Sequence, residues 1–225
     1  MSKASNAYGG PPSPALAEIG THVSARLART PGVLKVPVGG LDLFVRENFL
    51  SEADCRFLIG LVDDCSRPST VFYDGGDPAF RTSSSGDLDR WDPGVNAIDT
   101  RICALLGIPV NHGETMQGQR YAPGQQFKEH HDFFHVSQAY WPEQERHGGQ
   151  RSWTAMIYLN QPEAGGETYF PAAGAKVAPR TGLLLAWNNM GTDGAPNLDS
   201  LHAGLPVTTG VKHIVTKWFR ERPWI

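Results

Sequence analysis

The run Gly182-Leu183-Leu184-Leu185-Ala186-Trp187 lies between a Thr-Gly turn and Asn188-Asn189. A continuous apolar stretch this short, bounded by turn residues, reads as a β-strand buried on both faces. Such a strand needs cover on either side, which excludes a lone sheet with one wet face. Residues 151–160, RSWTAMIYLN, form a second β-rich run, and Gly165-Gly166 separates it from Glu167-Thr168-Tyr169-Phe170. The second half is therefore expected to be nearly all β, and the whole chain mainly β with flanking helices.

Those helices belong to the first half. Ser13-Pro14 is a helix-start signal, and Leu16, Ile19, Val23 and Leu27 fall on one helical face. Ser51 with Asp54 resembles a capping box ahead of Phe57, Leu58, Leu61 and Val62. Asp92-Pro93 starts a third helix whose Val95, Ile98, Ile102 and Leu105 run until Gly107. The three are expected to buttress one sheet, to which Leu34 to Val38 and Leu41 to Val45 add strands around the Gly39-Gly40 turn.

A length of 225 residues with 40% hydrophobic content suits one compact unit. Residues 1–12 are expected to be a flexible tail and 13–225 a single domain, with helical support over 13–110 and the β core over 111–225. The opening MSKASNAYGGPPSP has no charged segment followed by an apolar one, so it does not read as a signal peptide, and no stretch is long enough to span a membrane. Cys55, Cys65 and Cys103 are odd in number, lack C-x-x-C spacing and sit in apolar helical patterns. Reduced thiols and a cytoplasmic location follow as expectations. A net charge of −3 with scattered Lys and Arg offers no basic stripe, which argues against a nucleic-acid partner. No internal repeat is present, and oligomeric state is not legible.

The chemistry-bearing feature is His130-x-Asp132, followed by His202 and, ten residues on, Lys212. Two imidazoles and a carboxylate can hold ferrous iron while leaving positions open for other ligands. With 8 His and 13 Asp in the chain, an H-x-D triplet arises by chance about half the time, so context decides its meaning. In an extended strand His130 and Asp132 would share one face and His131 the other. Tyr121 and Phe127 before the motif, the Pro123-Gly124 turn, and Phe133-Phe134 after it predict such a strand. The bland alternative is a surface hydrogen-bonded pair. A different metal site from His131 and His135 at helical spacing finds no support, because no Glu follows His131 as in H-E-x-x-H.

Several spaced motifs together resemble the prolyl 4-hydroxylase-like members of the iron(II) and 2-oxoglutarate dependent dioxygenases. They are Arg120-Tyr121-Ala122-Pro123-Gly124-Gln125 leading to His130-x-Asp132, Thr154 to Asn160, and Gly165-Gly166-Glu167-Thr168-x-Phe170-Pro171. Ser200-Leu201-His202-Ala203-Gly204-x-Pro206-Val207, Gly210-x-Lys212 and Lys217-Trp218 complete the set in family order. The resemblance implies a double-stranded β-helix, a cupin-like jelly-roll with the metal at one open end. It implies His130, Asp132 and His202 as ligands of Fe(II), and Lys212, with Tyr121 and Thr168, as the binders of 2-oxoglutarate. Dioxygen as co-reactant, ascorbate as reductant, and hydroxylation of a prolyl residue in a protein or peptide follow from the same source. So does oxidative decarboxylation of 2-oxoglutarate to succinate. Retention of Asp132 favours hydroxylation over halogenation.

Physical reasoning stands beside that resemblance. A lysine at the mouth of a β-rich segment reaches inward only where an anion waits, and a dicarboxylate is a suitable anion. Neutral imidazoles are needed for coordination, so activity is expected to fall in acid. The loops 73–90 and 190–199 are expected to act as lids. Arg151 and Trp218 match positions near the substrate in the family, whereas Phe127 stands where relatives often carry tyrosine, which removes a hydroxyl from the metal's surroundings. Two other readings compete: hydroxylation of a small molecule such as a free amino acid, and a non-catalytic jelly-roll binding module.

Overall fold

The computed structural model describes residues 10–70 and 77–224. From the N-terminal side, α1 (Pro14–Arg29) leads into β1 (Val33–Lys35) and β2 (Leu43–Arg46), then α2 (Glu52–Cys65), β3 (Arg67–Pro68), β4 (Ser84–Asp87) and α3 (Pro93–Leu106). Next come β5 (Gln117–Tyr121), β6 (Phe127–His130), α4 (Trp141–Arg146), β7 (Arg151–Tyr158), β8 (Ala164–Gly165) and β9 (Thr168–Phe170). The chain finishes with β10 (Ala175–Val177), β11 (Leu184–Asn188), β12 (His202–Gly204), β13 (Val207–Thr209) and β14 (Lys212–Arg220).

Local chemistry accounts for the helices. The Ser13 hydroxyl accepts from the Leu16 N–H, Ser51 and Asp54 form a reciprocal capping box, and Asp92 accepts from the N–H groups of Gly94 and Val95. Gly107, at φ 74°, ends α3 in the left-handed conformation that glycine adopts most readily. Leu58 and Val62 are buried as the α2 periodicity predicts, but Phe57 is not; it is 40% exposed. It lies a helical step away from Leu58, and its ring covers Gly94 at the start of α3, where no side chain competes for the space.

Among the described residues, eight antiparallel strands form the largest sheet in the order β1-β2-β11-β7-β14-β5-β4-β3, and four form a second sheet, β10-β9-β12-β6. Strands β8 and β13 pair separately. No strand pairing among the described residues closes either sheet on itself. The apolar run around β11 is buried on both faces, and alternation explains how. Leu184 and Ala186 join Trp153, Ile157, Val215 and Phe219 in a core shared with Val23, Leu27, Leu58, Val62 and Ile102 of the helices. Leu183, Leu185 and Trp187 face the other way, into a core that holds Phe170 and Ala175 of the small sheet. The helices thus cover one side of the large sheet and the small sheet covers the other.

Three expectations need adjustment. The first hairpin is shorter than its apolar pattern, because residues 36–42 leave the ladder and turn Leu41 inward. The 73–90 segment is not wholly loop, since β4 pairs with β5 inside it, while 71–76 fall outside the described residues. The expected tail lies, for residues 1–9, also outside them. No helix among the described residues is long and apolar enough to cross a membrane. Cys55, Cys65 and Cys103 are free thiols. Burial pushes Cys55 up to about 11 and Cys103 up to about 12, which makes both poor nucleophiles.

One buried ion pair ties α3 to the centre of the large sheet. Lys217 Nζ of β14 lies 2.8 Å from Asp99 Oδ1 and 3.0 Å from Oδ2, with both side chains almost fully enclosed. Removing one partner strands the other charge in the interior. Asp99→Ala is expected to lose ~3–5 kcal/mol in chemical denaturation, and adding Lys217→Met to recover much of it.

Candidate active site

Strand pairing brings the two imidazoles together. In the β6–β12 ladder His202 stands directly opposite His130, and their ring centroids are 4.3 Å apart. Asp132 joins them from outside the ladder. The predicted strand through Asp132 and Phe133-Phe134 ends instead at His130, and the chain bends there. This bend turns the aromatic pair into the interior, where both rings are buried. Asp132 Oδ1 lies 3.8 Å from His130 Nε2, and Oδ2 lies 3.7 Å from His202 Nε2. His131 takes no part; its Nε2 meets the Leu198 carbonyl at 3.2 Å. His131 and His135 stand on no helix, with centroids 6.2 Å apart.

Hydrogen bonds set the tautomers of the facing rings. His130 Nδ1 lies 2.8 Å from the Lys128 carbonyl and His202 Nδ1 lies 2.9 Å from the Ser200 carbonyl. A carbonyl only accepts, so each Nδ1 carries the proton and each Nε2 keeps its lone pair. With Asp132 these atoms all fall within 4.8 Å of one another, a donor set that fits one divalent transition-metal ion. Burial, and then the neighbouring His202, push His130 down to about 3, so its ring stays neutral. Burial pulls the Asp132 carboxyl upward, but His202, His130, Arg151 and the Thr154 hydroxyl outweigh it and hold the group below the ordinary carboxylate range. Aromatic walls fix the planes: Phe127 stacks on His130 at 3.6 Å, and Trp187 stands edge-on to His202 at 4.8 Å.

A small cavity runs from these three residues to Lys212, the first residue of β14. The Lys212 ammonium is buried, donates to the Gly166 carbonyl at 2.9 Å and lies 4.2 Å from the centre of the Tyr121 ring. Burial, opposed by Glu167, lowers its pKa to about 7. Tyr121 and Thr168 line the same cavity. The Tyr121 hydroxyl donates to Gln119 Oε1 at 2.7 Å, and Thr168 Oγ1 is 2.6 Å from the Tyr158 hydroxyl.

The comparisons with known proteins agree on one family. Residues 116–220 match the 2OG-Fe(II) oxygenase superfamily. Prolyl 4-hydroxylase 1 of Arabidopsis thaliana is 34% identical over 200 residues, covering 80% of this chain and 69% of the relative. This chain belongs to the 2OG-Fe(II) oxygenase superfamily. Prolyl 4-hydroxylase 5 of the same plant is 36% identical over 199 residues, or 78% of this chain and 67% of the relative. Among solved structures, the 2OG complex of the viral collagen prolyl hydroxylase from Paramecium Bursaria Chlorella virus-1 superposes with a TM-score of 0.63 at 27% identity. That match covers 79% of this chain and 95% of the other. Family membership and the His-Asp-His donor set together support iron(II)- and 2-oxoglutarate-dependent hydroxylase activity.

On the other side of the donor set this oxygenase has a cavity of about 750 Å³. Phe80, Phe134, Tyr140, Trp218 and Trp224 contribute aromatic surface to it. Arg151 borders it with its guanidinium 4.2 Å from the centre of the Trp218 ring. The arginine is clamped by Glu114 through Nε–Oε1 at 2.6 Å and Nη2–Oε2 at 2.7 Å, and Arg220 Nε shares Oε1 at 2.8 Å. Sequence reasoning missed Glu114, Arg220, Arg81 and Thr154. Arg81 holds its guanidinium 4.7 Å from the centre of the Phe127 ring and donates to Gln117. None of the first three lies in a motif. Thr154 alone carried a usable signal, as a polar residue in a strand whose neighbours are buried and apolar.

Acid destabilisation follows from His130. Its folded value, about 3, lies below the ordinary 6.5, so unfolding takes up a proton anywhere between them. The contribution of this group to stability is full above pH 6.5 and is lost as pH falls towards 3. Chemical denaturation of the metal-free protein is expected to show a decline of up to ~1.4 kcal/mol per pH unit from this group. His130→Asn is expected to flatten that limb.

Proposed function

We propose that this oxygenase hydroxylates a prolyl residue within a protein or peptide, using Fe(II) held by His130, Asp132 and His202 and 2-oxoglutarate anchored by Lys212. One observation carries the reading: the donor set lies between a buried lysine on one side and an aromatic-lined cavity on the other. Iron and 2-oxoglutarate, when bound, supply the oxidising chemistry, in which dioxygen is consumed, 2-oxoglutarate becomes succinate and carbon dioxide, and a substrate C–H bond is hydroxylated. The two layers around β11 are read as the facing sheets of a jelly-roll, and residues 13–225 as one domain. Ascorbate as reductant and a cytoplasmic setting complete the proposal; the free thiols suit the latter.

The chain's own residues divide the remaining work. Lys212 meets the distal carboxylate of 2-oxoglutarate as a charge-assisted donor, with Tyr121 and Thr168 beside it. Phe127 shields the His130 ring from water and presents carbon where a hydroxyl would offer a competing hydrogen bond. Arg151, held in place by the Glu114 carboxylate it shares with Arg220, borders the substrate cavity beside Trp218. A cavity of about 750 Å³ accepts a ligand of many atoms rather than one small ring. Its aromatic walls suit proline in an extended chain, the recognition mode used by aromatic-lined peptide grooves.

Anaerobic addition of Fe(II) and then 2-oxoglutarate is expected to raise a visible metal-to-ligand charge-transfer band. A folded protein that binds neither would overturn the proposal. His202→Ala and Asp132→Ala should abolish the band, and His131→Ala should retain it. Lys212→Ala should mainly weaken 2-oxoglutarate binding.

Lys212 also sets a pH dependence. Without an anionic partner Lys212 loses its proton above about pH 7, and an anion beside it restores the charged form. Binding of 2-oxoglutarate is therefore expected to weaken as pH rises above 7, with uptake of up to one proton at pH 8. Calorimetry in buffers of different ionisation enthalpy measures that uptake. Lys212→Met should remove it.

A further inference from the structure

We infer that Thr154 and Asn189 are positioning residues that engage one oxygen of Asp132 and leave the other for the metal ion, an inference that rests on the iron reading above. Thr154 belongs to β7 and Asn189 follows β11, and both are fully buried. Thr154 Oγ1 lies 2.7 Å from Asp132 Oδ2, and Asn189 Nδ2 lies 2.9 Å from Thr154 Oγ1. The direction of this relay is forced. A carboxylate only accepts, so the threonine hydroxyl donates to it and must itself receive a hydrogen from the Asn189 amide. The backbone holds the asparagine in place, because its N–H donates to the Ser152 carbonyl and its carbonyl accepts from the Asn197 N–H.

Two further observations separate this relay from ordinary core polarity. First, Asn189 Oδ1 is buried with no hydrogen-bond partner among the described residues. Turning the amide over would pair that oxygen only by taking the hydroxyl proton away from Asp132. The opposite orientation would leave the amide nitrogen in that unpaired position instead, so the orientation shown is the one that also completes the hydroxyl bond to Asp132. Second, Asp132 stands beyond the end of β6, where no ladder fixes its backbone. Its carbonyl accepts from Arg151 Nη1 at a long 3.5 Å. The direction of the carboxylate therefore depends on Thr154.

The consequence concerns open positions. An ion held by two imidazoles and one carboxylate oxygen would keep further positions open for ligands that the protein does not supply. A carboxylate that used both oxygens would fill one of them. By engaging Oδ2, the hydroxyl favours the arrangement in which only Oδ1 binds.

The test compares the wild type with Thr154→Val, which keeps shape and removes the hydroxyl, and Thr154→Ser, which keeps the hydroxyl. Each metal-free protein is melted, then titrated anaerobically with Fe(II) and with 2-oxoglutarate while the charge-transfer band is recorded. Thr154→Val is expected to bind Fe(II) about 10–100-fold more weakly and to shift the band, and Thr154→Ser to stay within about threefold of the wild type. Metal-free Thr154→Val is expected to melt below Thr154→Ser, because its loss of the hydroxyl leaves Asp132 Oδ2 and the Asn189 amide without that partner, and iron affinities are compared at a temperature where both are folded. Equal iron affinity and an unshifted band in Thr154→Val would overturn the relay, as would equal loss in Thr154→Ser, which would assign the effect to packing. If Thr154→Val does not fold, Asn189→Ala, which keeps the hydroxyl but removes its director, is expected to weaken iron binding, and no change would sink the inference. A wild type that binds no Fe(II) would instead reject the iron reading itself.

Discussion

The register of β6 against β12 is the constraint on which the site depends. It places His202 opposite His130, and because side chains alternate along a strand, a slip of one residue would turn one imidazole away from the other. The ladder is irregular two residues further on, where Gly204 meets Phe127. Glycine there leaves room beside the Phe127 backbone, and the Phe127 ring stacks on His130. Packing of the small sheet onto the large one then brings Thr154 and Trp187 against the same cluster.

Charges inside the protein fall into two kinds. Lys217 with Asp99, and Arg151 and Arg220 with Glu114, find their counterions within the chain and tie sheet to helix or wall to wall. Lys212 is different. Its nearest protein acceptor is a neutral carbonyl, and burial alone lowers its affinity for a proton. Below about pH 7 it still carries its charge, with some support from Glu167, and an anion beside it would extend that range. The same logic separates Asp132, whose environment favours its ionised form, from His130, whose environment favours the neutral ring. Both are the states a metal ion requires.

Local signals were read well from sequence because their causes are local. Caps at Ser13, Ser51 and Asp92, the glycine stop at Gly107, the β-rich run of β7 and the continuous apolar run of β11 all act within a few residues. Phe57 escaped because its surroundings include Gly94 of another helix. The strand predicted through Asp132 failed for a related reason: β propensity favoured continuation, but the chain bends to bury Phe133 and Phe134. Tertiary packing overrode propensity there.

The amino-acid sequence by itself determined the residue types available for chemistry, the helices and central strands, and, through motif spacing, the family to which the chain belongs. Only the tertiary structure decided how those groups are held. It joins Thr154 to Asp132 across 22 residues, Arg151 to Glu114 across 37 and Lys212 to Gly166 across 46. Hydrogen bonds and ion pairs of that range arise from the packing of sheets against one another, and no local periodicity encodes which distant partner a buried polar group will find.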